Sequence, residues 1–409
     1  MQPTSAFRAA LIAVCISTCA AAAAQTGFGS CIPNPNDPDG RPIDRITGAN
    51  CITTIRTAVP FLTITPDARS GAMGDVGVAL SPTAASAYFN GSALAFADAP
   101  FAIQASYTPW LRALGLNDVY LLNLAGYGRI SDLETLYGSV RYFSLGQIDF
   151  TDINGEPIST GTPNEFAISA GYARLLTDRW SASVTGRFVL SSLASGLQVP
   201  GTGEEIGNGV AGSADIGVTY RDDINVGPQG SYLQAGATIR NIGNKITYTS
   251  SIERDFLPTN LGLGASLETF LDDYNSITFA LDVNKLLVPS PQPTDSTFNP
   301  AEISPVEGLF RSFGDAEGGF AEEMEEFAIS VGAEYWYADQ FAARAGYFHE
   351  ANTKGGRRYL TLGVGLKLNV LGIDFSYLVP TTSVRNPLDN TLRFGLTYRF
   401  QGETDPAGV

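Results

Sequence analysis

The sequence predicts an all-β chain: a 14-stranded transmembrane antiparallel β-barrel, preceded by an N-terminal periplasmic arm and a plug that contains a short helix. Three observations predict it. From about Phe101 onward apolar side chains recur with a period of two, as in Leu392, Phe394, Leu396, Tyr398 and Phe400 against Arg393, Gly395, Thr397 and Arg399. The second face of such segments is Gly, Ser, Thr, Arg and Asn, which suits a hydrated lumen better than the core of a soluble sandwich. Roughly fourteen segments of this kind occur, an even number, and their connections alternate between short and long.

Residues 1–24 read as a secretory signal peptide. Arg8 is the only charge before Asp37, and Ala9 to Ala24 is an apolar run ending in small residues. Cys15 and Cys19 raise a lipoprotein signal as the minor reading, since Val14 and Thr18 before them are large or branched. Residues 25–58 form a Pro/Asn/Asp-rich arm, expected on the periplasmic side. Cys31 and Cys51 in this arm predict one disulfide in an oxidising compartment. Two free thiols are the alternative; a metal site is disfavoured because no histidine lies nearby.

Residues 59–100 are the plug. Gly71, Gly74 and Gly77 are expected to let the backbone turn tightly and press against a barrel wall. Ser81-Pro82 is expected to cap a short helix over "TAASAYFNG". The same glycine spacing can be read as a phosphate loop. That reading needs a preceding buried strand, a following helix in an α/β unit and usually a lysine, none of which surrounds it.

Residues 101–400 are the barrel. Strands are expected to start near Phe101, Asp118, Glu134, Glu165, Trp180, Asn208, Ser231, Pro258, Asn275, Glu325, Gln340, Arg357, Leu371 and Thr391. Ser131–Leu133, Thr177–Arg179, Asp272–Asn275, Asp339-Gln340 and Val370–Gly372 are short connections, with Asp222–Gly230 a longer member of that set. Thr151–Asn164, Ser195–Glu205, Lys245–Phe256, Ser290–Met324 and Thr381–Asn390 are long. Short periplasmic turns alternating with long outer loops are the pattern of an outer-membrane barrel, and an even strand count puts both termini in the periplasm. Tyr107, Trp110, Tyr120, Phe166, Trp180, Tyr220, Phe270, Tyr335, Tyr337, Tyr359 and Tyr398 fall towards strand ends, where interfacial girdles need them. Residues 401–409 are a short tail.

Composition excludes several classes. A net charge of −16 makes a poor nucleic-acid binder. After the first residues no stretch is long enough for a transmembrane helix. Only 16% of residues are charged, with 44 glycines, 17 tyrosines and 23 phenylalanines, a profile of alternating strands. No catalytic, cofactor or metal residues are assigned. The sole histidine, His349, stands beside Glu350 near the outer end of a strand; Ser–His chemistry would require a nucleophile next to it.

The long stretch Ser290–Met324 is the candidate partner-binding loop, through Leu309, Phe310, Phe313, Phe320 and Met324. Exposed apolar side chains on such a loop are often partner anchors; the alternative is that they pack back over the barrel mouth. Asp315, Glu317, Glu322, Glu323, Glu325 and Glu326 offer a Ca²⁺ site, a surface for a basic client, or a solvated face.

Val59 to Phe96 resembles the N-terminal signature of the PorV family, outer-membrane barrels of the type IX secretion system within the wider FadL-like class. Pro60-Phe61-Leu62, Pro66-Asp67-Ala68-Arg69, Gly71, Met73-Gly74-Asp75 and Tyr88-Phe89-Asn90 to Ala93 carry the resemblance. FadL-like chains commonly have Asn-Pro-Ala where this one has Asn90-Gly91-Ser92-Ala93. The resemblance implies secretion without catalysis. Clients bearing a C-terminal signal domain would be received from the translocon barrel and carried within the outer-membrane lipid to the sortase of the attachment complex. A FadL-type transporter of hydrophobic small molecules is the alternative.

Overall fold

The computed structural model describes residues 31–32, 34, 41–45, 50–112, 115–151, 156–198, 203–249, 254–295, 297–382 and 390–400. The signal segment 1–24 and the tail 401–409 lie outside the described residues.

Fourteen antiparallel strands close into one barrel. They are β1 (Phe101–Pro109), β2 (Val119–Arg129), β3 (Glu134–Leu145), β4 (Asn164–Leu175), β5 (Trp180–Ser192), β6 (Gly209–Ile224) and β7 (Ser231–Gly243). The second half comprises β8 (Asn260–Phe270), β9 (Asn275–Leu286), β10 (Phe327–Tyr337), β11 (Phe341–His349), β12 (Arg358–Leu368), β13 (Leu371–Pro380) and β14 (Leu392–Phe400). Each begins within two residues of its expected start. Closure is made by β14 on β1, with Phe400 opposite Phe101 and Phe394 opposite Tyr107. A closed ladder leaves no strand edge unpaired in a solvent that offers no hydrogen bonds.

The alternation of the sequence becomes the two faces of the wall. Leu122, Phe279, Leu362 and Leu396 stand exposed on the outside as an apolar belt, while their neighbours Asn123, Thr278, Thr361 and Thr397 are buried inside. Aromatic pairs flank the belt, Tyr107 with Tyr120 at one end and Trp180 with Tyr220 at the other. Three expected girdle residues instead turn inward. Trp110 packs edge-on against Phe143 and Tyr359 stacks on Phe348, both against residues 59–100 in the lumen, while Phe270 meets Tyr232 in the lining of a lumenal cavity.

Long and short connections segregate to opposite ends. The short-turn end has 130–133, 176–179, 225–230, 271–274, 338–340 and 369–370. Asp222 and Asp223 lie within β6, so the turn there is shorter than read. The stretch after β3, read as plain loop, carries a hairpin of Ile148–Thr151 against Pro157–Gly161. A bulge between β6 and β7 places Asn241 at a φ of 60° and turns its side chain inward, a re-aiming for which bulges are used.

Candidate functional site

The lumen is occupied by residues 59–100. Two one-turn helices, α1 (Ala68–Ala72) and α2 (Ser86–Phe89), are joined to 3₁₀ turns at Pro60–Thr63 and Gly91–Phe96. Asp67 caps α1, its carboxylate accepting from the Ser70 amide at 3.0 Å. The chain then turns through Gly74 at a φ of 72°, where a Cβ would strike the backbone of Tyr347 and Val331 on the wall. The Gly74 amide donates to Thr361 Oγ1 at 2.8 Å, and the amides of Gly77 and Val78 donate to Asp282 Oδ2 at 2.7 and 2.9 Å.

The three plug glycines thus meet different neighbours. Gly74 presses on the wall backbone, Gly71 lies under the Arg393 side chain, and Gly77 faces the ring of Phe89 within the plug itself. The wall answers with its own glycines: Gly332 and Gly346 receive Met73 and Gly74, and Gly262 and Gly264 receive Val78 and Ala79. The small second face read as a hydrated lumen is therefore, at these positions, a bed for the plug.

The helix expected from Ser81-Pro82 onward is only four residues long and has no side-chain cap. The Ser81 carbonyl and hydroxyl instead accept from the Arg69 guanidinium, each at 3.0 Å. Asn90 ends the helix in an extended conformation and becomes a hub. Its amide nitrogen donates to Val78 O and Thr219 Oγ1 at 2.9 Å each, while its oxygen accepts from Ser92 Oγ at 2.6 Å.

A chain of buried charges ties plug to wall. Arg69 on α1 pairs with Glu334 on β10 at 2.7 Å, Glu334 with Arg344 on β11 at 2.5 Å, and Arg344 with Asp374 on β13 at 2.6 Å. On the other side Arg141 donates to the carbonyls of Phe61 and Ile64 at 2.9 and 2.7 Å and lies over the Tyr88 ring. Tyr359 donates to Asp75 at 2.5 Å. Buried charges persist only when paired and hydrogen-bonded, so this network holds the plug in one position. Sequence reading missed it. Its signal was Glu334, Arg344, Asp282, Asp374 and Arg393 at inward positions of otherwise small, uncharged strand faces. Cavities of about 620 Å³ towards the short turns and about 290 Å³ towards the long loops remain on the two sides of the plug.

The arm corrects an expectation. Cys31 and Cys51 form the expected disulfide. The described part of the arm, however, lies at the long-loop end, whereas the arm and the end of the last strand were expected at the same end. The Ala58 amide donates to Phe256 O at 2.9 Å, the Thr53 amide to Thr353 O at 3.0 Å, and Arg41 pairs with Glu325 at 2.9 Å. Those partners lie in the connections 244–259, 287–326 and 350–357, all at the long-loop end, whereas Phe400, the last described residue, is at the short-turn end. The cause is the plug's path: it runs through the lumen from the long-loop end to the short-turn end, so what precedes it emerges among the long loops.

The 287–326 connection covers the same end. It carries α3 (Pro305–Arg311) and α4 (Gly319–Glu325). Val288 and Ile303 bury against Phe256, with Ile55 of the arm and Phe298 packed beside them. Lys245 donates to Pro300 O and Ala301 O at 2.7 and 3.0 Å. With these side chains folded over the mouth, Phe310, Phe313, Phe320 and Met324 are left exposed and Leu309 half-buried. Of the five apolar residues picked out in this loop, only Leu309 therefore packs back in part towards the barrel mouth.

The carboxylates of this loop are internal partners. Glu326 meets Lys285 at 2.5 Å and Lys354 at 3.1 Å, Glu323 meets Lys285 at 2.7 Å, and Glu322 meets Lys354 at 2.6 Å. Glu322 also accepts from Thr53 Oγ1 at 2.5 Å. Burial raises the Glu322 carboxyl, but hydrogen bonds from Lys354 and Thr53 outweigh it and hold the group below its ordinary value. Burial pushes Asp315 up to about 6, with the Ser290 amide opposing and Glu326 and Glu323 adding to the rise. Among the described residues no group of His, Cys, Asp and Glu is arranged to hold a metal ion. His349 ends β11 paired with Ile329 and Arg358, and its ring lies 6.4 Å from that of Tyr347.

Comparisons with known proteins complete the description. A family model described as "Type IX secretion system protein PorV" matches residues 48–293. Similar solved structures include the toluene transporter TbuX of Ralstonia pickettii, 12% identical over 82% of this chain and 98% of that one, with a TM-score of 0.45. The toluene transporter TodX of Pseudomonas putida is 11% identical over 85% and 98%, with a TM-score of 0.46. A FadL homologue of Pseudomonas aeruginosa is 12% identical over 85% and 100%, with a TM-score of 0.43. No curated protein matches the chain. The family match takes in the end of the arm, the whole plug and β1 to β9, which is more than half of the sequence. The chain therefore belongs to the PorV family, the outer-membrane barrels of the type IX secretion system.

Proposed function

We propose that this barrel is a non-enzymatic carrier of secreted proteins. It receives a client by its C-terminal signal domain from the translocon barrel, holds it at the outer face, and delivers it through the membrane plane to the sortase of the attachment complex. The carrying observation is the pairing of a lumen filled by a charge-locked plug with an exposed aromatic face on a long loop. A filled lumen suits lateral carriage better than conduction, and Phe310, Phe313, Phe320 and Met324 offer the apolar anchors that a protein partner needs. In this reading the long-loop end faces the cell exterior, as in outer-membrane barrels generally.

An affinity pull-down from outer membranes tests the proposal. Co-recovery of the translocon, a sortase and cell-surface cargo is expected. Recovery of the barrel alone, together with uptake of aromatics or fatty acids into liposomes containing the pure protein, would replace it with the small-molecule transporter.

A further inference from the structure

We infer that the N-terminal arm is a strap: it passes outward through the lumen, surfaces among the outer loops, and there clamps the helix that presents Phe320 and Met324. The path is written in its contacts. Phe101 pairs with Phe400 and Gly128 at the short-turn end. Going backward along the chain, Gly74 meets Thr361 inside the barrel, Ala58 meets Phe256, Thr53 meets Thr353, and Arg41 meets Glu325. A segment that starts at one rim and ends bonded to the loops of the other has crossed the lumen once.

At the outer rim the arm grips one face of α4. Glu322 and Glu325, three residues apart, share that face. Glu322 accepts from Thr53 Oγ1, and Lys354 bridges it to the Thr53 carbonyl at 2.6 and 3.5 Å. Glu325 takes Arg41 at 2.9 Å and Thr353 Oγ1 at 2.5 Å. Phe320 and Met324, four apart, form the opposite, exposed face. Arg41 lies inside the covalent loop closed by Cys31–Cys51, so its reach to Glu325 depends on that disulfide. No such contact was expected of an arm beneath the barrel. The link between strap and client capture rests on the function proposed above; the crossing of the lumen does not.

Sidedness is tested with a membrane-impermeant maleimide on intact cells. Ile52→Cys, at an exposed arm position, should label directly, whereas Asp132→Cys in the β2–β3 turn should label only after the outer membrane is opened. Labelling of both positions directly, or of both only after opening, overturns the crossing, and the reverse order overturns its outward direction. A Thr53→Cys/Thr353→Cys pair gives a second readout: a cross-link between arm and loop supports the strap, and its absence overturns it. The clamp is tested by hydrogen exchange on the purified barrel. Cys31→Ser/Cys51→Ser should exchange several-fold faster over 319–325, and unchanged exchange overturns the clamp. Loss of client capture with unchanged exchange would count against the clamp while leaving the carrier standing. Faster exchange with capture intact supports the clamp and removes the carrier's dependence on it.

Discussion

Phe61 and Phe89 in the plug are 0% and 5% exposed, whereas Phe310 and Phe320 in the 287–326 loop stand 72% and 80% exposed. Both segments lie off the barrel wall, and both are fixed by buried ion pairs: Arg69–Glu334–Arg344 for the plug, Lys285–Glu326–Lys354 for the loop. They differ in where the aromatic groups point relative to those anchors. In the plug, rings and charges alike are enclosed by the barrel, Phe61 stacking on Phe143 of β3 and Arg69 meeting Glu334 of β10 on the other side. In the loop, charges face down and rings face out. Ionic anchoring therefore does not distinguish an enclosed segment from an exposed one in this molecule; the disposition of the apolar side chains does.

The comparison can be broken at either end. The largest effect is expected from Glu334→Ala, which strands Arg69 and Arg344 in the lumen; removing one partner from a buried cluster costs about 3–5 kcal/mol. Melting in detergent should drop, and the barrel should begin to conduct in planar bilayers. A closed barrel of unchanged stability would show that the network does not hold the plug. Next comes Phe310→Ser/Phe313→Ser/Phe320→Ser, which should weaken client capture by about 1 kcal/mol or more per anchor residue while melting stays at the parent value. Equal losses in stability and capture would mean that these rings are structural after all.

A smaller, pH-dependent effect belongs to Asp315. Its folded carboxyl titrates at about 6, above the ordinary value. A raised value means that its favourable contribution is fully present below the unfolded carboxyl range, about pH 4, and is lost as the pH rises through about 6. The 290–326 stretch should therefore show weaker amide protection, after correction for the intrinsic pH dependence of exchange, at pH 7 than at pH 4.5, and Asp315→Asn should flatten that difference. Glu322, held low, acts in the opposite sense, only as the pH falls below its ordinary range. The smallest effect is expected from His349→Ala. It ends a strand beside Tyr347 and takes no part in the ion pairs of the plug or the loop described above, and capture should not change.

Much of this architecture was readable before any coordinate. The strand starts, the two classes of connection and the disulfide follow from local signals: a period of two, turn residues, and two cysteines in an exported arm. Val59–Phe96 also carried enough of a signature to point to the family. The candidate site was legible only in part. Of Leu309, Phe310, Phe313, Phe320 and Met324, all but Leu309 are exposed, and the acidic run around them is engaged by Lys285, Lys354, Arg41 and Thr53.

By itself, then, the sequence determined the barrel, because each strand pairs with its neighbour in the chain and needs only its own alternation to choose a face. The tertiary structure alone decided which way the arm runs, which aromatics turn inward, and which charges meet. Those contacts join residues far apart along the chain: Arg69 reaches Glu334 across 265 positions and Thr53 reaches Glu322 across 269. No local period encodes such a meeting. It exists only once the wall has closed and given the plug a surface on which to lie.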